Sequence, residues 1–221
     1  MVDEDTQIVI GTNPPAGTVA PRGSTVNLLL HDGPVSTNVE PFDDRAIATR
    51  RQRWIGVSTA ANLLSLQGRT WYFTVTIQQI GRLDCKLIEE DCRINSLSDV
   101  ERRVAPETSR EFDHMALASL WVLGAFQILY TLDKTMKRDR VRFKGLQNQI
   151  ADVRRKFVRL RGPLAKGQGE DGDFPFPHHA VRISGSSCWA VNPGTLISRI
   201  ELSNQFLALL TAIAAHPGAS R

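Results

Sequence analysis

MALASLWVLGAFQILYTL, residues 115–132, and FKGLQNQIADVRRKFVRLRG, residues 143–162, decide the fold between them. The first stretch holds no charged residue, and Thr108-Ser109-Arg110-Glu111 ahead of it has the form of a capping box, so a helix is expected to start near 109. In the second, Phe143, Leu146, Ile150, Val153, Phe157 and Leu160 recur at spacings that alternate between three and four. That is the seam of one helix packed along another. The two stretches therefore predict an antiparallel helical hairpin, with long helices near 109–137 and 142–161.

An apolar run of this length is also about the lower limit for crossing a bilayer, with Lys134, Lys137, Arg138 and Arg140 as its cytoplasmic flank. Ser119, Gly124, Gln127 and Thr131 interrupt the run, and a core helix accounts for the same residues. The buried helix is the expectation, and a membrane-tethered envelope protein anchored by 115–132 is the alternative.

Charge is concentrated around the second stretch. Residues 134–166 carry twelve Lys or Arg against Asp139 and Asp152, although the whole chain has a net charge of only +4. Lys144, Arg155 and Arg159 fall opposite the apolar seam, with Arg154 and Arg161 flanking them, so an outward basic stripe is predicted. Such a stripe suits an acidic protein or the phosphates of a nucleic acid. Phe143 and Phe157, the aromatics interleaved with it, face the seam and offer no stacking platform to unpaired bases. These five cationic residues form the candidate binding set.

Upstream of the helices, Trp71, Phe73, Val75 and Ile77 alternate with Tyr72, Thr74, Thr76 and Gln78, a period-two pattern that predicts a strand. Gly81-Arg82 is expected to turn it into a second strand over Leu83–Ile88, leaving Glu89, Glu90 and Asp91 on an exposed turn. Residues 54–66, closed by Gly68, read as a short helix, and the Ser96–Asp99 capping form starts another that ends before Pro106. Downstream, Gly162-Pro163 ends the basic helix. Cys188-Trp189-Ala190-Val191 reads as a short buried strand, and Asn192–Thr195 as a turn and cap before a last amphipathic helix through Leu210.

At the N-terminus, alternation at Ile8–Ile10 and Val26–Leu30 predicts two strands around a loop rich in Pro and Gly. Pro15-Ala16-Gly17-Thr18-Val19, Gly23-Ser24-Thr25-Val26-Asn27-Leu28 and Asp32-Gly33-Pro34 resemble the C-terminal half of a PASTA domain. That repeat occurs on the extracellular parts of bacterial Ser/Thr kinases and penicillin-binding proteins. The resemblance covers residues 7–34 and implies binding of peptidoglycan fragments or a spacer role at the cell envelope. Residues 35–53, with Pro41 and then Arg50, Arg51 and Arg53, read as a linker to an α+β domain over 54–212.

Catalytic signals are weak throughout. Three adjacent carboxylates on a turn cannot divide acid and base roles, and Ser186, Ser187 and Cys188 lack a Gly-x-Ser-x-Gly elbow. His178 and His179 point to opposite faces of any strand, and the run Gly169–Asp173 lacks the distal glutamate of a calcium loop. Arg110 and His114 sit one residue too close for the ribonuclease spacing of HEPN-type bundles, which leaves that family unassigned and makes the two residues the first pair to test for RNA cleavage.

Three cysteines without CxxC spacing suggest neither a zinc site nor a disulfide framework, and an acidic start after Met1 is unlike a secretory signal, so a cytoplasmic setting is expected. The expected fold class is α+β: a helical hairpin and a C-terminal helix packed on a small antiparallel sheet, with the PASTA-like hairpin attached. The expected function is non-catalytic binding, with no cofactor or metal. The ligand is cell-wall material or an acidic partner, and the alternative is a nucleic-acid-binding effector or nuclease working through helix 142–161.

Overall fold

The computed structural model describes the backbone of residues 8–13, 27–31, 42–61, 70–98, 101, 105–138, 143–166, 178–183, 186–192 and 195–216. Among them are five helices: α1 (Asp44–Ala61), α2 (Thr70–Asn95), α3 (Ala105–Arg138), α4 (Leu146–Lys166) and α5 (Arg199–Ala215). Strands β1 (Ile8–Asn13) and β2 (Asn27–His31) form an antiparallel pair. A second antiparallel sheet has the order β3 (His178–Ile183), β4 (Ser186–Asn192), β5 (Thr195–Ser198). The molecule is therefore α+β, with helices dominating.

Cross-helix contacts fix the arrangement. Arg50, Trp54 and Ser58 of α1 meet Asp84, Gly81 and Gln78 of α2 in reverse order. His114 and Gly124 of α3 meet Asp91 and Ile80 of α2, and Phe126 and Asp133 meet Arg161 and Arg154 of α4, both again antiparallel. Phe143 and Phe157, on the turn before α4 and on α4 itself, meet His216 and Phe206. Helix α5 then returns to α1, where Arg50 meets Ser203 and Trp54 meets Phe206 in the same order. An odd number of alternating helices can close a ring only with one parallel pair, and that pair is α1 with α5.

The core fills this ring. Trp54, Phe206, Phe157 and Trp121 form a chain of rings from α1 through α5 and α4 to α3, with successive centroids 5.7, 5.9 and 5.9 Å apart. Edge-on and tilted geometries of this kind add about 0.5–1.5 kcal/mol per pair beyond area burial. The expected pairing of the uncharged run with the seam is present: Leu146, Ile150, Phe157 and Leu160 are buried, as are Trp121, Val122, Ala125 and Leu129 opposite. Strand β4 is buried from Ser186 to Val191 and packs on α2, α4 and α5, in line with the short buried strand expected at Cys188–Val191.

Several expectations are corrected. The strand at Trp71–Gln78 and the hairpin to Ile88 are a single helix, α2. Among its buried residues, Phe73, Ile77, Ile80, Asp84, Leu87, Asp91 and Ile94 step by four and three, with Cys85 and Ile88 beside them, so the helical period holds over the whole segment while the alternation covers only its start. The supposed linker 35–53 is helical from Asp44, where the Asp43 carboxylate accepts Ala46 N–H at 2.6 Å as the cap. Thr108–Glu111 lies within α3 and does not start it. The capping box upstream is Ser98 with Glu101, whose carboxylate accepts the Ser98 N–H at 2.8 Å.

Helix α4 runs past Gly162-Pro163 to Lys166, with the proline ring buried. Thr195–Ser198 is a strand, and Ser198 is the cap of α5. The Pro- and Gly-rich motifs of the PASTA-like segment at 14–26 and 32–34, and the acidic run 169–173, lie outside the described residues. Among the described residues, Ser109–Arg138 is long and apolar enough to span a bilayer. In the bundle 44% of its most apolar window is buried, while Phe112 and Leu120 are exposed on its outer side.

Candidate functional site

Helix α4 carries its cations on two flanks and not in one outward stripe. On the α3 side, Arg154 lies 3.4 Å from the Asp133 carboxylate, and the Arg161 guanidinium sits 4.9 Å from the centroid of the Phe126 ring. Those two are committed to holding the hairpin. Arg155 points to solvent beside Asp152, at 3.5 Å. Lys144 is exposed on the turn before α4, where Gly145 adopts a φ of 96° that glycine tolerates and other residues rarely do. It lies off the helix altogether.

The opposite flank makes a cleft. Lys156 and Arg159, three residues apart and so on one face, line an opening of about 260 Å³ together with Thr195, Leu196, Ile197 and Ser198 of β5 and Glu201, Leu202 and Gln205 of α5. Side chains alternate across a strand, so a cleft that touches four consecutive strand residues runs along the backbone edge. Among the described residues β5 pairs with β4. Of the five residues expected as a binding set, only Arg159 reaches this cleft. Lys156 is absent from that set, although its position three residues before Arg159 was the signal for it.

Deep in the bundle lies a second assembly, a chain of charges that runs from α1 to α3. Asp84, fully buried on α2, accepts from Arg50 Nε at 2.6 Å, Trp54 Nε1 at 2.9 Å, Arg199 Nη1 at 3.0 Å and Ser203 Oγ at 2.6 Å. Arg50 uses its remaining nitrogens on Asn204 Oδ1 at 2.7 Å and Ser203 Oγ at 2.6 Å. Arg199, also fully buried, donates its Nη2 to Asp91 Oδ2 at 2.6 Å, and His114 Nε2 lies 2.8 Å from the other oxygen. Burial pushes the Asp91 carboxyl up, but the hydrogen bond from His114 and the charge of Arg199 outweigh it and hold Asp91 below the usual range. Asp91 is therefore a carboxylate, and Nε2 carries the proton it accepts.

His114 and Asp91 are both buried on helices, so Asp91 is not on the exposed turn expected for it. A His–Asp pair is the orienting half of a nucleophilic triad, but catalysis needs the other ring nitrogen to reach a reacting atom. Here His114 Nδ1 is enclosed and makes no hydrogen bond. Arg110 is exposed while His114 is buried, so the two do not form a joint surface for RNA. Among the described residues no three His, Cys, Asp or Glu side chains converge as metal ligands. Two Arg against two Asp make the network balanced and structural.

Comparison with protein-family models, with curated proteins and with solved structures returned no match to this chain.

Proposed function

We propose that this chain is a non-catalytic interaction protein that takes an acidic macromolecule along the flank of α4 bearing Lys156 and Arg159. The observation that carries this reading is the place of Lys156: α3 takes up Arg154 and Arg161, while the exposed Lys156 lines a cleft beside Arg159. Phosphate tracking along a nucleic acid calls for a continuous run of cations. Asp152 beside Arg155 and Glu201 across the cleft interrupt any such run, which favours a discrete acidic protein segment over an extended polyanion.

The test is fluorescence anisotropy with labelled polyglutamate, poly(U) RNA and duplex DNA, using the parent protein, K156E/R159E and R154Q. The reading expects polyglutamate to bind, K156E/R159E to weaken it about tenfold, and R154Q to leave it within twofold. Tighter binding of RNA or DNA, with a steep loss between low and moderate salt, would replace it with the nucleic-acid reading.

A further inference from the structure

We infer that the outer face of α1 is a phosphate-binding groove, in which Arg45 and Arg53 clamp the phosphoryl group of a small phosphomonoester over the Thr49 hydroxyl. The three residues stand four apart and so share one face of the helix, with about 6 Å of axial rise from Thr49 to either arginine. They line an open groove of about 360 Å³ together with Phe42, Ala46 and the buried Arg50. Small-ligand sites begin at about 300 Å³. The groove lies on a different helix from the α4 cleft, and its test is separate from that of the acidic partner.

What sets this face apart is that its polar groups are unengaged. Arg45, Thr49 and Arg53 are exposed, and among the described residues none of the three forms a side-chain hydrogen bond or ion pair. Arg50 and Arg51, which interleave with them, are taken up instead by Asp84 and Glu89 of α2. Thr59, Thr76, Thr131, Thr135 and Thr211 turn their hydroxyls back to the carbonyl four residues earlier, the usual resort of a helical threonine. The Thr49 hydroxyl keeps its proton for another acceptor. Asp43 also belongs to the lining, but its carboxylate is occupied as the cap of α1, where it accepts Ala46 N–H at 2.6 Å. It stands two residues before Arg45, at the end of the groove away from Arg53.

A phosphoryl group suits this set better than a carboxylate. One guanidinium fork saturates the two oxygens of a carboxylate, whereas a phosphate presents three oxygens and up to two charges, enough for two forks and a hydroxyl. The body that carries the phosphate meets Ala46 and the half-buried Phe42 ring, which the Arg50 guanidinium backs at 5.8 Å from its centroid. A flat apolar group fits that end.

The experiment is isothermal titration calorimetry of the full chain with phenyl phosphate and benzoate at about pH 7.5, where a phosphomonoester is largely dianionic. Phenyl phosphate is expected to bind and benzoate to bind at least about threefold more weakly. R45Q and R53Q should each weaken phenyl phosphate about fivefold and T49V about threefold, with R82Q and K156E within about 1.5-fold. All five substituted positions are exposed, and unchanged urea midpoints would show the fold kept.

Failure of phenyl phosphate to bind, or binding that R45Q and R53Q leave unchanged, would overturn the inference. Benzoate matching phenyl phosphate would refute the choice of phosphate, and an unchanged T49V would refute the place given to the phosphoryl group. A loss in K156E as large as in R45Q would move the anion to the α4 cleft and sink the groove while sparing the acidic-partner reading. Tighter binding of a phosphotyrosine peptide would replace the small molecule with a modified protein.

Discussion

Replacing Asp84 with Asn keeps the side chain's shape and removes one negative charge from the middle of the bundle. In the parent protein that carboxylate receives four hydrogen bonds, two of them from Arg50 and Arg199, and none of its surface reaches water. At an effective dielectric of about 20, each charge pair at roughly 4 Å contributes about 4 kcal/mol of gross attraction, most of it offset by desolvation. Breaking such a group from one side leaves two guanidinium groups facing one remaining carboxylate, Asp91, and also turns an amide N–H toward a donor. The expected cost is about 3–5 kcal/mol, out of a total stability of about 5–15 kcal/mol.

For a chain of this size that corresponds to a loss of roughly 6–20 °C in Tm. Urea unfolding followed by circular dichroism and by the fluorescence of the buried Trp54, Trp121 and Trp189 reads it directly. A cycle with Arg50→Gln should show the double variant less destabilised than the sum of the singles, by about 0.5–3 kcal/mol. A loss under about 1 kcal/mol in D84N, or strict additivity in the cycle, would mean that water or movement of the helices relieves these charges and that the network does not hold the ring together.

Asp91, held below the ordinary carboxylate range, contributes stability that is fully present above its unfolded pKa of about 3.9 and is lost as the pH falls through its folded value. Wild type should therefore lose urea resistance more steeply than Asp91→Asn on going below about pH 4, and parallel slopes would contradict that. The Cys85 thiol is pushed up by burial and by neighbouring Asp84, and burial likewise raises half-buried Cys92. With Cys188 buried too, a thiol reagent at pH 8 should label the native protein slowly, at Cys92 first, and all three cysteines rapidly in urea. Gly81→Ala places a methyl 2.5 Å from the Trp54 ring and 2.6 Å from its Cβ, which has no room to give, so a loss of about 1–3 kcal/mol is expected despite better helix propensity. Gly124→Ala meets only the tip of Ile80, a rotatable methyl, and should lie within about 1 kcal/mol of wild type; a reversed order in urea midpoints would refute the α1–α2 packing.

How much of the fold is legible in the sequence depends on where the charges sit. The hairpin of α3 and α4 is legible because its buried positions are apolar throughout, so the spacing of three and four in Phe143–Leu160 stands out. In α2 the same spacing is interrupted by Asp84 and Asp91, and the eye turns instead to the local alternation of Trp71–Gln78 and to Gly81-Arg82 as a turn before Leu83–Ile88. In α1, Arg50 stands in the register of Ile47, Trp54 and Val57, and in α5 Arg199 precedes the apolar face that contains Phe206 and Leu210. Opposite charges at core positions of separate helices are the signal for the network. Each taken alone reads as solvent-facing, because a charge on a helix is usually outside. The cleft is hidden for another reason: it depends on β5 leading straight into α5, and four residues of strand carry too little pattern to separate from a helix start.

The network and the cleft meet in the first turns of α5. Arg199 and Ser203 point inward to Asp84 and Asp91, while Ser198, Glu201, Leu202 and Gln205 line the cleft, so one short segment serves the interior and the surface. A strand that ends in a helix cap is an awkward place to keep straight, since short strands without support fray. Here the first residue of the helix is held by two buried charge pairs, and Ser198 is fixed as the cap in the residue before it. The buried ions therefore act on the surface by holding β5 in place as the bundle folds.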